Sequence, residues 1–256
     1  MRLSKSIVVN SPVIELNFVL LALFILIIIQ SILGVGILVL GTPFLLILGF
    51  DIIEIVSILL PISILTSFLN LVFIRINKRK LDIKINPVTK NLFFFICLPS
   101  IFVGLFLLEI YHDRINFKHF VSGVIFISLI LTRIKSFILN IDNKVKVLFL
   151  SLIGIIHGLT NSGGTLLSLF MSSQEKKNNS RFSITFFYFY LALFQFFIFN
   201  YFFEYNINIS NYKTLIILSP IGITIGNFLI KFINENKFRN FISLLSLLSC
   251  VFLIIF

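Results

Sequence analysis

The stretch His157-Gly158-Leu159-Thr160-Asn161-Ser162-Gly163-Gly164-Thr165 sits in the middle of an apolar segment, about 145–173, of membrane-spanning length. Hydrocarbon cannot hydrogen-bond a broken backbone. An irregular chain at that depth is stable only where protein or a water-filled cavity covers it. The first apolar segment, about 13–49, is interrupted in a similar way from Gly34-Val35-Gly36 to Gly41-Thr42-Pro43. Two breaks at corresponding places point to a binding site between two repeats.

The composition fits this constraint. Of 256 residues, 58% are hydrophobic and 12% charged, and the mean hydropathy of +1.09 excludes a soluble globular domain. The chain reads as an all-α polytopic membrane protein, a single integral membrane domain over 1–256. The formal charge of +11 is carried by lysines and arginines in short loops, where it sets topology. No basic face with interleaved aromatics stands outside the apolar segments, which argues against nucleic acid as a partner. Cys97 and Cys250 are isolated in apolar runs, so neither a disulfide nor a metal site is indicated. No cofactor motif is present. There is no GxSxG, no HExxH and no pair of intramembrane aspartates, so the chain does not read as an enzyme. Arg2 and Lys5 precede an apolar run too long for a signal-peptide core, which reads as a retained membrane segment.

About eight hydrophobic segments follow one another, at roughly 13–49, 52–74, 91–110, 117–134, 145–173, 182–203, 212–232 and 239–256. The fifth, broken near Gly158 to Gly164, leaves pieces of about 14 and 10 residues, each short of a ~30 Å crossing. It is either one interrupted span or a re-entrant hairpin. Loop charge separates the two. With the loop Arg75 to Lys90 inside, a crossing fifth segment puts the loops holding Lys176, Lys177, Arg181 and Lys231, Lys237, Arg239 outside and leaves 11 cations inside and 8 outside after the N-terminus, whereas a hairpin leaves 16 inside and 3 outside. The positive-inside rule favours the hairpin.

An internal echo agrees. Phe117–Ser122 resembles Phe238–Ser243 and Pro99 matches Pro220, both at an offset of 121, while Gly41-Thr42 matches Gly164-Thr165 at 123. The expected layout is two inverted repeats, about 13–134 and 145–256, each a broken or re-entrant segment plus three transmembrane helices.

Glycine clusters with hydroxyl and amide side chains, at a half-helix start, form a ready anion site. The expected substrate-binding residues are Gly36, Gly41, Thr42, Pro43, Thr160, Asn161, Ser162, Gly163, Gly164 and Thr165. Pro43 suits the first turn of a new half-helix, since its missing N–H would be unpaired there. His157 is the one ionisable residue placed well inside a segment, suited either to proton coupling or to holding the turn. Asn70 and Gln195, at corresponding places in the second and sixth segments, either line a cavity or bond across helices. Ser57 and Ser63 are weaker candidates. Glu54, Glu109, Arg133 and Glu204 fall at segment ends, where solvation at the interface explains them. Gly222 and Gly226 form a GxxxG that reads as helix packing.

These residues resemble a known family. Gly34-Val35-Gly36 with Gly41-Thr42-Pro43-Phe44-Leu45-Leu46 is similar to the first-half motif of the sulfite exporter TauE/SafE family, and His157 to Gly164 is similar to its second-half counterpart. The basic loop Arg75 to Lys80 is similar as well. The first half lacks a consecutive glycine pair, and Leu166 stands where many members have an early hydrophobic-proline stretch. The resemblance implies an inner-membrane permease exporting a small anion such as sulfite, a sulfonate or another organic acid by alternating access. Its partners would be that anion, the lipid bilayer and a coupling proton or ion, with a homo-oligomer compatible with the reading. The competing reading is a non-transporting membrane subunit whose polar breaks organise a partner interface.

Overall fold

The computed structural model describes residues 16–76, 83–111, 119–120, 122–123, 126–127, 129–130, 142–203 and 213–255. Much of the expected fourth span lies outside them, as do Arg2, Lys5, Lys78, Arg79, Lys80, Asp113, Arg114, Lys118, Arg133, Lys135 and Glu204. Among the described residues every regular element is a helix. They are α1 (Leu16–Leu33), α2 (Ile37–Ile47), α3 (Ile52–Ile76), α4 (Pro87–Tyr111), α5 (Asn143–Thr160), α6 (Gly163–Gln174), α7 (Lys177–Phe203), α8 (Lys213–Leu229) and α9 (Glu235–Ile255). Five of them, α3, α4, α5, α7 and α8, are long and apolar enough to cross a membrane. The chain is an integral membrane protein.

Both breaks lie within the expected stretches but are shorter. The first is confined to Gly34–Gly36, and Gly41, Thr42 and Pro43 lie inside α2. Pro43 is therefore a mid-helix proline, and its ring leaves the Val39 carbonyl without its helical N–H. The second break is only Asn161-Ser162; Gly158 is helical. The pieces flanking it have 18 and 12 residues, and α5 alone is long enough to span.

Both broken segments double back. The rings of Phe149 in α5 and Phe170 in α6 lie 6.0 Å apart, where an unbroken helix would separate them by roughly 30 Å. Phe18 in α1 and Phe44 in α2 are also 6.0 Å apart, against roughly 40 Å along one helix. Each segment is thus a helical hairpin with an aromatic pair joining its two arms.

Small residues set how closely the helices approach, as expected where lipid removes the hydrophobic drive between them. A side chain at Gly158 would strike the Ile101 carbonyl, and one at Gly104 the Ile155 carbonyl, so α4 and α5 meet backbone to backbone. A widened turn at Phe93–Cys97 brings the Cys97 carbonyl against Gly154 in the same contact. Gly222 and Gly226 serve α8 likewise: a Cβ at Gly222 would lie 2.8 Å from Ile27 Cγ2, and one at Gly226 2.5 Å from Ser31 Cβ, both on α1. The first hairpin thus rests on α8 and the second on α4. The long helices α3 and α7 cross between them, and α9 packs against α2.

Candidate functional site

The first hairpin tip is built from the end of α1. Gly34 takes a left-handed conformation (φ 84°), and its N–H closes the helix on the Gln30 carbonyl at 2.8 Å. Gln30 is fully buried and turns back over the break. Its Oε1 accepts from the Ile37 N–H at 2.9 Å, and its Nε2 donates to Ser67 Oγ at 3.0 Å and the Ser63 carbonyl at 3.2 Å. One amide thereby ties the start of α2 to α3. Gly36 fits beneath it, since a Cβ there would lie 3.0 Å from the Gln30 nitrogen.

The second tip repeats the device with another residue. Asn161 is left-handed (φ 60°), the only non-glycine in that region among the described residues, and its N–H bonds the His157 carbonyl at 2.9 Å. Asparagine tolerates this conformation better than other side chains. Thr160 Oγ1 accepts from the Ser162 N–H at 3.3 Å. A Cβ at Gly163 would lie 2.6 Å from His157 Cβ, so α6 starts hard against α5. Gln195 Nε2 donates to the His157 carbonyl at 3.2 Å, and Asn70 Nδ2 donates to the Ser31 carbonyl at 3.3 Å. The paired amides therefore each bind a carbonyl at the end of the broken helix in their own half. They do not meet each other.

Tyr188, fully buried on α7, joins the two tips. Its ring lies over Gly164, where any Cβ would strike Cε2, and makes an edge contact with His157 at 6.0 Å between centroids. Val35 of the first break reaches the same glycine, its Cγ2 lying 2.9 Å from where a Cβ would be. The hydroxyl sits beside the Leu38 and Val39 N–H groups and Ser63, without completing a hydrogen bond to any of them. The starts of α2 and α6, each carrying about half a positive charge from the helix dipole, thus converge on one side chain.

Several buried polar groups on the two hairpins and on α7 make no hydrogen bond to another described group. They are Thr42 Oγ1, both ring nitrogens of His157, both amide atoms of Asn161, Thr165 Oγ1, the Tyr188 hydroxyl and Gln195 Oε1. Every one of these residues is at most 1% exposed. Each unmet group costs about 1–3 kcal/mol, far more than small-residue packing needs. Ser162, Gly163 and Gly164 belong to the same tip, and Gly41 packs on Leu59 of α3 with a Cβ distance of 2.9 Å.

Arg181 corrects the placement of charge. The sequence reading put it in a loop and left His157 alone inside. Arg181 instead lies in the second turn of α7 and is only 8% exposed. Its Nε and Nη2 donate to the Ser31 carbonyl at 3.1 and 2.6 Å, and Nη2 also reaches Asn70 Oδ1 at 3.0 Å and Asn227 Oδ1 at 2.7 Å. Three residues that the sequence reading passed over, Gln30, Tyr188 and Asn227, complete the framework. A signal for α7 was available: Arg181, Thr185, Tyr188, Ala192 and Gln195 recur at helical spacing, and all are buried.

A cleft of about 470 Å³ opens where α6 ends, lined by Lys84, Asn86, Thr89, Met171, Gln174 and Glu175 among others. Burial holds the Glu175 carboxyl above its usual range, with the Ser183 hydroxyl opposing the shift.

The family model described as "Sulfite exporter TauE/SafE" matches residues 19–253, from α1 to the last turns of α9. The chain belongs to the sulfite exporter TauE/SafE family. Both hairpin tips and Tyr188 fall within the matched TauE/SafE region. The family is one of transporters, which gives the chain a small-molecule substrate and a place in the bilayer. No curated protein and no solved structure matches the chain.

Proposed function

We propose that the protein is a secondary permease of the cell (inner) membrane that exports a small anion such as sulfite, a sulfonate or another organic acid. The observation that carries this reading is the set of buried, unpartnered polar groups gathered where two half-helix starts meet at Tyr188. Donors at helix starts suit an anion, and the groups are too costly to keep for packing alone. Thr42, His157, Thr160, Asn161, Ser162, Gly163, Gly164, Thr165 and Tyr188 would line the site, with Gly36, Gly41 and Pro43 shaping α2 and with Asn70 and Gln195 holding the tips.

We read the chain as two inverted repeats, about 13–134 and 145–256. Each is a hairpin followed by three crossings, an odd number that turns the second half over. The swapped packing, α1 on α8 and α5 on α4, supports this. Alternating access would then move each hairpin tip against α7, driven by an ion gradient in which His157 is a candidate proton carrier.

Sealed proteoliposomes holding the purified chain test the reading. Wild type is expected to release loaded sulfite, and Asn161→Gly to lose that flux while keeping its thermal midpoint. Glycine keeps the left-handed backbone and removes only the amide. Unchanged flux in Asn161→Gly would sink the site assignment, and no flux of any small anion in wild type would sink the permease.

A further inference from the structure

Arg181 carries a full positive charge into the helix bundle, and its hydrogen-bond partners among the described residues are all neutral. The end of α1 supplies about half a negative charge by its dipole, which leaves the guanidinium incompletely balanced. Lys177, one turn earlier on α7, adds to the imbalance. Its ammonium group donates to the Ile230 and Ile233 carbonyls, again neutral acceptors. An acidic neighbour it feels, Glu235, is already paired with Arg239 at 2.8 Å.

The fork of Arg181 is also only partly used. Every bond it makes comes from Nε and Nη2; Nη1 makes none to a described residue, and the side chain keeps a small opening to its surroundings. Ser31, Asn70 and Asn227 hold one edge of a rigid planar group, so the other edge is pre-oriented and binding there orders little further. The two N–H groups of Nη1 point apart and Nε and Nη2 are already taken, so Nη1 offers an oxyanion oxygen a single charge-assisted hydrogen bond rather than a bidentate grip.

We propose that the Nη1 edge of Arg181 is an oxyanion-binding site, a charge-recognition point lying at the first hairpin tip and separate from the neutral groups around Tyr188. The proposal deepens the reading of the chain as an anion permease and rests on it for the solute, an oxyanion of sulfite size. A lipid phosphate has the same chemistry. Two arms separate the sources.

The test is equilibrium binding to the full chain in a neutral maltoside detergent, with sulfite under nitrogen in one arm and phosphatidylglycerol in mixed micelles in the other. Wild type is expected to bind one probe with an affinity that weakens as salt rises. Arg181→Gln is expected to weaken it roughly tenfold or more. Arg181→Lys should fall between, since the charge stays and the guanidinium held in place by Ser31, Asn70 and Asn227 is lost. Sulfite binding identifies the solute as the ligand, and binding of phosphatidylglycerol alone identifies a headgroup. Wild type binding neither probe overturns the proposal, as does equal affinity in both variants. If Arg181→Gln does not fold, an unchanged affinity in Arg181→Lys overturns it by itself. Arg181-dependent binding without flux in vesicles would remove the permease and keep the site. Sulfite flux without Arg181-dependent binding would do the reverse.

Discussion

Two glycines with nearly the same backbone angle isolate what the first hairpin tip contributes. Gly34 has φ 84° and Gly49 has φ 88°, so alanine at either would be held in the left-handed region. That costs about 1–2 kcal/mol at each site. Their surroundings differ. A Cβ on Gly34 would lie 2.7 Å from Thr185 Oγ1, 2.9 Å from the Arg181 carbonyl and 3.1 Å from Ile184 Cγ2, whereas a Cβ on Gly49 would meet nothing within 4 Å. Two of the three neighbours at Gly34 are a backbone carbonyl and a branched side chain on a helix held by Arg181, so neither yields readily. Overpacking of this kind adds about 1–3 kcal/mol. Gly34→Ala is therefore expected to cost about 2–5 kcal/mol and Gly49→Ala only about 1–2 kcal/mol. In a chain of this size each kcal/mol moves the thermal midpoint by roughly 2–4 °C. Midpoints of the two variants, purified in one detergent and read by thiol-reactive dye at the buried cysteines, give the comparison. Equal losses would refute the packing argument at the tip. A Gly34→Ala midpoint at or above wild type would refute the backbone argument as well.

Two more outcomes follow from the same geometry. Tyr188→Phe removes one unmet hydroxyl and keeps the ring over Gly164, so its thermal midpoint should hold or rise, within about 1 kcal/mol, while sulfite flux falls; a falling midpoint with intact flux would make the tyrosine structural. Burial raises the Glu175 carboxyl in the fold, so the folded state binds more protons than the unfolded one between the ordinary carboxylate value and the raised one. Stability is then fully present below the unfolded value and declines as pH rises through that window. Glu175→Gln should flatten this decline in a midpoint-versus-pH series, and an identical slope in both proteins would contradict it.

Much of this arrangement was legible in the residues. Charge in the loops pointed to a hairpin at the second break, and the Phe149–Phe170 contact shows the chain turning back there. Asn70 and Gln195 were paired by position, and each does bind a carbonyl of its own broken helix. The misplaced features share one cause, which is that apolar runs blur helix ends. Pro43 reads as a helix start because its missing N–H would be unpaired there, yet the tip has already closed at Gly36, where Gln30 takes over the Ile37 N–H. Arg181 was assigned to a loop because the apolar run begins just after it, and its neutral partners, Ser31, Asn70 and Asn227, lie on three other helices far away in sequence. Tyr188 was hidden among phenylalanines. Only its spacing from Arg181, Thr185 and Gln195 separates it from the lipid-facing rings.

The Ser31 carbonyl has a consequence for how the protein is made. It lies in α1, but the groups that bind it or its hydroxyl belong to residues 70, 181 and 227, all made later. Chains are synthesised N-terminus first. The end of α1 is therefore finished late, when α8 arrives with Asn227 and the glycines that let it close on α1. A nascent chain halted after α7 would hold its second hairpin with Tyr188 and Gln195 in place, while its first hairpin still lacked the neighbour it rests on. Quality control acting on such intermediates would recognise the earlier-made hairpin as the immature one.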